Sequence, residues 1–597
     1  MVKKFGLKMS VAAVAAALAA PTQAALYKIV EVNSAGYGSA ISEYDADSPT
    51  PVENCFVNSC ESGKSHVAGE DLKGRMGIPY RDEVPYFYFY QFDINETNDL
   101  EVYCNDILGY SSCDSWAVEQ YFALSLERNA WSNGYKSNSV GFLDRASLGF
   151  EPSVNTVVNG FDSNGKVYGI SSAPFVDVNG AGFSRAYQKR GFLSGGIVFK
   201  PFAEGQAVSA VIKDHGQSSV FDSFKLSSGP EYYVGSGSTN VYTDNFNGDG
   251  FGSVNGNCGT TSADTEPACN NLSFVTNAFV FDSSGNGYPM VKEWIGISES
   301  FPYELDTAPQ ASVRGVAVLG DKPYGVGYTT KRFNSDGVAV AAVATVFEPK
   351  TSFAIGDLTT PQWNIVEIPG INITDGDSAR YLNTTGIDVN QNGLVIGHVK
   401  LDLTQSRAIP NRSFVYKIDS GKNAALFSSA QSPLFFDGAN VYASALNESN
   451  EIVGWVDSER VNEADGRPRR KRGFIYLYAD GAEPRNISTF KGQQVWFLDD
   501  LTGGLPENNV YRIAQANDIN NAGVISATAL KCDGGYSSEA SNATCAGDET
   551  IVPVQLVPIA GGDISPREEQ NEKIERAGSW GLFGLSMLSL LGWRRRQ

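Results

Sequence analysis

The feature that most constrains this chain is an internal repeat. The segment at residues 386–397, GIDVNQNGLVIG, recurs at 516–527 as ANDINNAGVISA, and looser copies run from 443 to 454 and up to residue 169. In each copy, Asn and Asp side chains bond to their own backbone, Gly supplies a positive φ, and β-branched residues follow. The repeat therefore predicts a tight hairpin between two strands.

A second pattern follows the hairpins after insertions of variable length. It consists of short alternating strands with aromatic residues, at 190–193, 277–281, 412–416 and 472–476, with a weaker copy at 344–347. Such aromatic side chains are expected to face a core. Residues 27–32, YKIVEV, also closely match residues 363–368, WNIVEI. The strand near the N-terminus is therefore itself a repeat element.

These repeats predict the fold class. Hairpin candidates near residues 35, 160, 225, 317, 388, 447 and 518 give about seven units, and 62 Gly with 33 Phe and 27 Tyr favour strands over helices. We predict an all-β protein, a β-propeller of six to eight four-stranded blades with seven as the single figure, over residues 25–562. Residues 27–32 are expected to close the ring on the sheet that holds 552–559. A β-solenoid is the alternative.

The N-terminal segment has the pattern of a secretory signal peptide. Lysines at 3, 4 and 8 precede an uncharged run from 9 to 20, and small residues stand at the −3 and −1 positions of a cut after Ala24. We predict a signal helix at residues 1–24, which signal peptidase removes. A buried N-terminal helix is the alternative, although the run ends at Pro21.

Eight cysteines agree with export. They form four close sequence pairs, and pairing neighbours costs the least loop-closure entropy. A metal site is the alternative, but no C-x-x-C spacing or neighbouring His supports it. The predicted disulfides are Cys55–Cys60, Cys104–Cys113, Cys258–Cys269 and Cys532–Cys545.

The charge balance excludes one class of partner. The 46 Lys and Arg against 67 Asp and Glu give a net charge of −21. A chain of this charge repels phosphate backbones and anionic surfaces. We therefore expect no nucleic acid partner.

The C-terminus has three parts. A charged spacer at 563–577 precedes a tail at 578–597, which begins with Gly578 and Ser579, continues as an apolar Leu-rich segment and ends in an arginine triplet. As a helix, sixteen apolar residues would span about 24 Å, slightly less than a hydrocarbon core near 30 Å. Arginines after such a segment stay on the cytoplasmic side. A plain transmembrane anchor is one interpretation of this hydrophobic helix.

The tail resembles the GlyGly-CTERM class of bacterial sorting signals, although Ala577 stands where a second glycine is usual. This resemblance implies trimming near Gly578 and Ser579 by a rhomboid-type sorting protease and transfer to the cell surface. The hairpins and aromatic strands together resemble the HAF family of extracellular repeats, in exported Gram-negative proteins, over most of residues 26–560. The resemblance implies a surface, outer-envelope or periplasmic location, and it supplies no catalytic residues to carry over to this sequence.

Candidate ligand-binding residues are few. No common hydrolase, nucleotide or zinc motif is present, and the three histidines are far apart in sequence; His398 occupies the position that Trp455 and Ile170 hold in other repeats. A Gly-rich turn holds alternate oxygen ligands that are typical of a calcium loop but lack its final Glu. The candidate calcium ligands are Asp244, Asn247 and Asp249. A basic run is a candidate binding surface or an exposed loop, and comprises Arg467, Arg469, Arg470 and Lys471.

These observations favour a non-enzymatic, surface-associated protein that binds a glycan, an envelope component or a protein. No cofactor other than calcium is expected. A first alternative is an exported carbohydrate-active or other hydrolase with carboxylates in the central channel. A second is a structural envelope protein.

Overall fold

The computed structural model describes residues 25–32, 36–45, 52–70, 97–103, 140–142, 156–173, 189–227, 229–241, 274–298, 308–332, 340–373, 381–402, 410–460 and 469–567, with isolated positions between them. The predicted signal helix, spacer beyond 567 and C-terminal tail, with Ala24, Gly578 and Ser579, lie outside these residues. No helix in the described segments is long and apolar enough to cross a membrane.

The fold is all-β, as predicted, and its sheets are numbered here in chain order. Sheet 1 has three described strands: β2 (Tyr37–Ile41), β3 (Val67–Glu70) and β4 (Val140–Phe142). Sheet 2 contains β5 (Val157–Phe161), β6 (Val167–Ser171), β9 (Arg190–Leu193) and β10 (Ile197–Val198). Sheet 3 contains β11 (Ser218–Lys225), β12 (Glu231–Val241), β13 (Phe274–Asp282) and β14 (Gly287–Pro289). Sheet 4 contains β15 (Ala311–Leu319), β16 (Lys322–Arg332), β17 (Val340–Pro349) and β18 (Trp363–Glu367).

The remaining sheets have the same antiparallel order. Sheet 5 contains β19 (Tyr381–Val389), β20 (Leu394–Leu401), β21 (Asn411–Lys417) and β22 (Ala425–Leu426). Sheet 6 contains β23 (Val441–Leu446), β24 (Glu451–Asp457), β25 (Lys471–Leu477) and β26 (Val495–Phe497). Sheet 7 contains β27 (Tyr511–Ile519), β28 (Ile525–Cys532), β29 (Glu549–Pro558) and the N-terminal strand β1 (Tyr27–Glu31).

A few short elements lie in the connections within and between the sheets. The strands β7 (Val176–Asp177) and β8 (Phe183–Ser184) form a separate hairpin. Helices cover Thr97–Tyr103, Ala210–His215 and Leu498–Thr502, and a 3₁₀ helix covers Pro506–Val510.

The six four-stranded sheets are blades of a β-propeller, within the predicted six to eight. Their first strands contact one another in order, and β2 of sheet 1 contacts both β27 and β5. Sheet 1 therefore lies between sheets 7 and 2. The figure of seven four-stranded blades is not met in the described residues, because sheet 1 has three described strands.

Ring closure follows the prediction for residues 27–32. The strand β1 pairs antiparallel with β29, from Tyr27 opposite Pro558 to Glu31 opposite Val554. The similar strand β18 is also the fourth strand of its sheet. The packing continues past residue 562, because the Arg567 side chain is buried and donates to the carbonyl oxygens of Asp499 and Asn508.

The predicted aromatic strands are the third strands of the sheets, and they build the core. Phe414 and Phe474 are fully buried between neighbouring sheets, and each pairs with a glycine on the second strand, Gly397 and Gly454 respectively. A Cβ atom on Gly397 would overlap the carbonyl oxygen of Thr385 and the ring of Phe414. Glycine is required here because two strands approach too closely for any side chain.

The two ends of the ring differ. The end that carries the first-to-second strand connections is named the hairpin end, and in sheets 2 to 7 these turns are short: 162–166, 226–230, 320–321, 390–393, 447–450 and 520–524. The opposite end is named the loop end, and it carries longer second-to-third connections: 172–189, 242–273, 333–339, 402–410, 458–470 and 533–548. In these sheets the second-to-third connections are therefore longer than the first-to-second turns, although the hairpin end also carries long third-to-fourth connections at 350–362 and 478–494.

Sheet 1 is the exception among the first-to-second connections. Its connection at 42–66 is long and contains the Cys55–Cys60 disulfide. The Cys55 N–H donates to the carbonyl oxygen of Ala522, and the Phe56 ring packs edge-on against Tyr27 and Phe490. This loop thus packs against sheets 6 and 7.

Candidate functional site

The central channel is lined at the same level in six sheets. In each of these sheets, the first strand has a register shift that adds one residue, and this residue is partly exposed. Such bulges redirect side chains. The added residues are Asn159, Phe221, Arg314, Ile387, Ser444 and Asn517. Because first strands surround the axis of a propeller, these side chains form a mixed polar and apolar belt.

One cation belongs to this belt. The guanidinium carbon of Arg314 lies 3.9 Å from the centre of the Phe221 ring and 5.9 Å from that of Tyr328. A guanidinium over an aromatic face is held by the ring quadrupole. Phe221 and Tyr328 thus support Arg314 at the channel wall between sheets 3 and 4.

Three partly exposed carboxylates follow the belt towards the hairpin end. Asp222, Asp388 and Asp518 stand directly after the bulge residue in sheets 3, 5 and 7. One carboxylate oxygen of each accepts from the backbone N–H of the next sheet, at Val316 (2.8 Å), Leu446 (2.9 Å) and Ile41 (2.8 Å). The other oxygen accepts the N–H of the following residue in its own strand.

Small residues occupy the equivalent positions in the intervening sheets. Gly160, Gly315 and Ala445 follow the bulge in sheets 2, 4 and 6. A Cβ atom on Gly315 would lie 2.7 Å from the Cα atom of Asp388. The alternation of Asp and small residues leaves room for each carboxylate to reach the neighbouring sheet.

Enclosure in the ring changes the acidity of these carboxyl groups. Burial raises the pKa of Asp222 and of Asp518 to about 7, and it also raises the pKa of Asp388. Repulsion between the carboxylates adds to the effect, because Asp222 raises the pKa of both other groups. The Tyr168 hydroxyl donates to Asp222 Oδ1 at 3.2 Å. These groups are engaged by backbone donors, which is the arrangement of an inter-sheet clamp.

The repeated asparagines make a second clamp at the hairpin end. The Nδ2 group of Asn390 donates to the carbonyl oxygen of Asn447, that of Asn447 to Asn520, and that of Asn520 to Ser42, at 3.0 to 3.1 Å. The Oδ1 atom of each asparagine accepts backbone N–H groups of its own turn. In sheets 5 and 7, the Asp-x-Asn motif thus joins the sheet to its neighbour at two points.

A stack of side chains crosses from sheet 5 to sheet 6 nearer the loop end. The imidazole of His398 on β20 lies on the Tyr442 ring, with centroids 3.7 Å apart, and Tyr442 lies parallel to Trp455 at 5.5 Å. Lys471 Nζ is 4.0 Å from the centre of the Trp455 ring. Tyr442, Trp455 and Lys471 are partly exposed, whereas His398 is 7% exposed. We name these four residues the inter-sheet stack.

His398 and Ser413 form a pair that has the residue types of a catalytic dyad. Ser413 Oγ lies 3.3 Å from His398 Nδ1, but it donates to the Val441 carbonyl oxygen and accepts the Ala443 N–H. Burial lowers the pKa of His398 to about 3, against a smaller opposite effect of a backbone hydrogen bond at Ala443. A weak base beside a committed hydroxyl does not activate a nucleophile.

The predicted disulfides are borne out where they are described. Cys55–Cys60 and Cys532–Cys545 are both formed. Cys113 is disulfide-bonded, while Cys104, Cys258 and Cys269 lie outside the described residues. The calcium candidates Asp244, Asn247 and Asp249 also lie outside them. Within the described segments, no group of three or more His, Cys, Asp or Glu side chains could hold a metal ion.

The predicted basic run divides into members with different surroundings. Arg469 is buried, with Nη1 3.4 Å from Asp457 Oδ2, so it pairs inside sheet 6. Arg470 is exposed and lies 3.8 Å from Glu459, and Lys471 belongs to the inter-sheet stack. Arg467 lies outside the described residues. Arg469 therefore belongs to a buried ion pair, Arg470 to the exposed surface and Lys471 to an aromatic contact.

Sequence reasoning missed Tyr442 and Arg314. The repeat alignment placed His398 and Trp455 in equivalent positions, and the structure confirms this, because both follow the second-strand glycine. The repeat alignment did not indicate that a side chain of one sheet stacks on a side chain of the next sheet. Arg314 stands in a drifted repeat with no Asp-x-Asn motif, where only the bulge identifies it as channel-lining.

No curated protein matches this chain. A family-level match, in contrast, covers residues 4–596 and thus all seven sheets. The chain belongs to the family described as protein of unknown function (DUF3466).

Proposed function

We propose that this protein is exported, resides at the cell surface or in the outer envelope, and acts by binding a partner at the loop end of its propeller. The observation that carries the proposal is the asymmetry of the ring. The Asp and Asn side chains of the hairpin end are occupied in clamps, whereas the second-to-third connections, including the longest of sheets 2 to 7 at 242–273, leave at the other end. Variable loops on a rigid scaffold are the usual place for binding residues.

Export is supported by the cysteines. The disulfides Cys55–Cys60 and Cys532–Cys545 fit an oxidising environment, which the cytosol does not provide. We further propose that residues 1–24 are a signal peptide and that residues 578–597 resemble a GlyGly-CTERM sorting tail, with a periplasmic protein held by an uncut tail as the alternative. The resemblance to HAF repeats and a role for sheet 1 as a seventh blade belong to the same proposal.

Mass spectrometry of both mature termini from separated cell fractions tests export and processing. The proposal expects an N-terminus at residue 25 and a C-terminus near Gly578 in the surface fraction. Retention of Arg596 in the mature protein would contradict the sorting tail and support a membrane anchor. Retention of Met1 would contradict export through a cleaved signal peptide.

A hydrolase is the second candidate, because the pKa values of Asp222 and Asp518 lie near neutrality at the channel. Groups with such pKa values suit acid–base catalysis. However, backbone N–H groups occupy both oxygens of each carboxylate. We therefore favour binding over hydrolysis.

One pair of assays separates the candidates. The purified secreted protein is applied to an array of glycans and envelope components, and in parallel to a panel of chromogenic glycosides. Binding without turnover supports the proposal, whereas turnover that Asp222→Asn abolishes supports the hydrolase. Neither binding nor turnover would leave a structural envelope protein.

A further inference from the structure

One loop of sheet 1 reaches across to the strand that closes the ring. It is the connection at 42–66, which leaves sheet 1 at the hairpin end and contains the Cys55–Cys60 disulfide. Its residues 53–60 lie against the hairpin end of sheets 6 and 7, and we name them the latch. The latch therefore adds to the closure that β1 makes by pairing with β29.

The Phe56 side chain is the apolar part of the latch. It is 3% exposed, and its ring lies edge-on to the rings of Tyr27 and Phe490, with centroids 5.4 and 5.3 Å away. A Cβ atom on Gly523, in the first turn of sheet 7, would lie 2.9 Å from Phe56 Cε2. Because Tyr27 is the first residue of β1, removal of the Phe56 ring would uncover the beginning of the closing strand.

Hydrogen bonds fix the latch on both neighbouring sheets. In the first turn of sheet 7, the Ala522 carbonyl oxygen accepts the Cys55 N–H at 3.0 Å. In the third-to-fourth connection of sheet 6, Arg485 Nη1 donates to the Glu53 carbonyl oxygen at 2.8 Å. These contacts and those of the Phe56 ring all come from residues 53–56. The position of this short segment therefore decides whether they form.

The disulfide holds the outer half of the latch. Residues 57–59 are exposed, and Val57 is 69% exposed, so they bury little apolar surface. Among the described residues, the hydrogen bonds of 57–59 are local and go to the Asn54 carbonyl oxygen. A loop that is no longer cross-linked gains conformational entropy when it leaves its position. Breaking the bridge therefore favours release of the latch.

The two cysteines differ in exposure. Cys60 is partly exposed, whereas Cys55 is fully buried near Ile41, Tyr44 and Val67. A dithiol reductant can therefore attack Cys60 Sγ, which breaks the S–S bond and leaves Cys55 as the leaving thiolate. The second thiol of the reductant then releases Cys60 from the mixed disulfide, so that two electrons and two protons pass from the reductant to the cysteines. A thiolate in apolar surroundings is unfavourable, which also favours release.

We propose that the latch is a redox switch on ring closure: reduction of its disulfide by a dithiol releases Phe56 from Tyr27 and Phe490 and loosens β1, and reoxidation restores both. The rest of the ring stays folded, because sheets 3 to 6 are joined by apolar clusters that contain no latch residue. This inference concerns regulation and does not depend on the proposed binding function.

Hydrogen–deuterium exchange followed by mass spectrometry tests the switch in protein purified under oxidising conditions, before and after dithiothreitol and after reoxidation. Thiol alkylation with peptide mapping measures which bridges are reduced. Two double variants are compared: Cys532→Ser with Cys545→Ser keeps the latch bridge, and Cys55→Ser with Cys60→Ser lacks it. The strand β18 is the internal control, because it is the fourth strand of sheet 4 and its sequence matches that of β1.

Reduction should speed exchange at residues 25–32 and 53–60 at least tenfold in the wild type and in the variant that keeps the latch bridge. Exchange in β18 should not change, and reoxidation should reverse the effect. The variant without the latch bridge should exchange rapidly at 25–32 whether or not dithiothreitol is present. If that variant does not fold, the oxidised and reduced forms of the other variant still decide the question.

Three results would overturn the switch. The first is unchanged exchange at residues 25–32 when the latch bridge is shown to be reduced. The second is a latch bridge that dithiothreitol does not reduce in the folded protein. The third is equal acceleration of β18, because the disulfide would then stabilise the whole ring rather than its closure.

Discussion

Asp518 of the last sheet accepts a hydrogen bond from the backbone N–H of Ile41 in the first sheet, at 2.8 Å. The two residues are 477 positions apart in sequence. Asp222 and Asp388 make the same contact between neighbouring sheets. The repeated Asp is therefore a connection between sheets, and Asp518 uses it to join the two ends of the ring.

The variant Asp518→Asn should destabilise the ring. The amide of Asn keeps one oxygen that can accept a backbone N–H. Its NH₂ group then faces the second backbone N–H, and that buried donor is left without an acceptor. We expect a loss of about 1 to 3 kcal/mol in the free energy of unfolding, measured by urea denaturation. Asp548→Asn is the control, because Asp548 is exposed. Equal stability of the two variants would contradict a clamp at Asp518.

Stability should depend on pH through the same carboxylates. The pKa of Asp222 and of Asp518 is about 7 in the folded protein, above the ordinary value of 3.8. The folded state therefore binds more protons than the unfolded state over this interval. Their contribution to stability is present below pH 4 and is lost as the pH rises through 7.

The measurement is the urea midpoint from pH 4 to pH 8 for the wild type and for a variant carrying both Asp222→Asn and Asp518→Asn. In the wild type, Asp222 and Asp518 should lower the urea midpoint as the pH rises from 4 to 8. This contribution should be absent in the double variant. An unchanged pH profile in that variant would show that other groups cause the dependence.

Removal of one asparagine clamp should weaken the join between sheets 7 and 1. Asn520→Ala loses the donor to the Ser42 carbonyl and the acceptor for the Val524 N–H, both buried. We expect a decrease of about 2 kcal/mol in the free energy of unfolding. Gln391→Ala, an exposed position in the turn of sheet 5, should have almost no effect. Comparable losses in both variants would indicate that turn propensity, rather than the inter-sheet bond, is responsible.

Gly397→Ala should be strongly destabilising. The new methyl group would overlap the Thr385 carbonyl oxygen and the Phe414 ring. Overpacking of this kind costs about 1 to 3 kcal/mol, which a thermal unfolding scan detects as a lower midpoint. Gly356→Ala is the matched control, since a Cβ atom there meets no atom within 4 Å. A neutral Gly397→Ala would mean that the strands separate easily at this point.

Loss of the Cys55–Cys60 disulfide should loosen the loop at 42–66. The bridge closes a short loop that holds Phe56 between Tyr27 and Phe490. Replacing both cysteines with serine should lower the free energy of unfolding by about 2 kcal/mol. Proteolysis should then cut within the loop before the ring unfolds. Unchanged resistance of the loop would show that the aromatic packing suffices.

Several parts of this fold were predictable because they depend on local patterns. The Asn-rich turns at 390–393 and 520–524 were recognised from their turn residues, and the match of residues 27–32 with 363–368 identified two fourth strands. Residue 35 was wrongly taken as a hairpin. The strands on either side of it, β1 and β2, belong to sheets 7 and 1, and a Gly near a turn does not tell a hairpin from a link between sheets.

The inter-sheet contacts were not predictable from the sequence. The role of Asp388 depends on a bulge that turns its side chain towards Leu446 of the next sheet, and bulges leave little trace in a sequence. The stack of His398 on Tyr442 likewise depends on how two sheets pack. Position in the repeat identified the residues, but only packing shows what they contact.

Closure of the ring by β1 is the central claim, and a designed cysteine pair tests it most directly. Lys28 lies opposite Val557 in the pairing of β1 with β29. In protein purified under oxidising conditions, Lys28→Cys with Val557→Cys should form an intrachain disulfide, found in the monomer by non-reducing peptide mapping. Lys28→Cys with Lys225→Cys, which joins different sheets, should not. Free thiols or only interchain bridges at 28 and 557 would contradict a ring closed by its N-terminal strand.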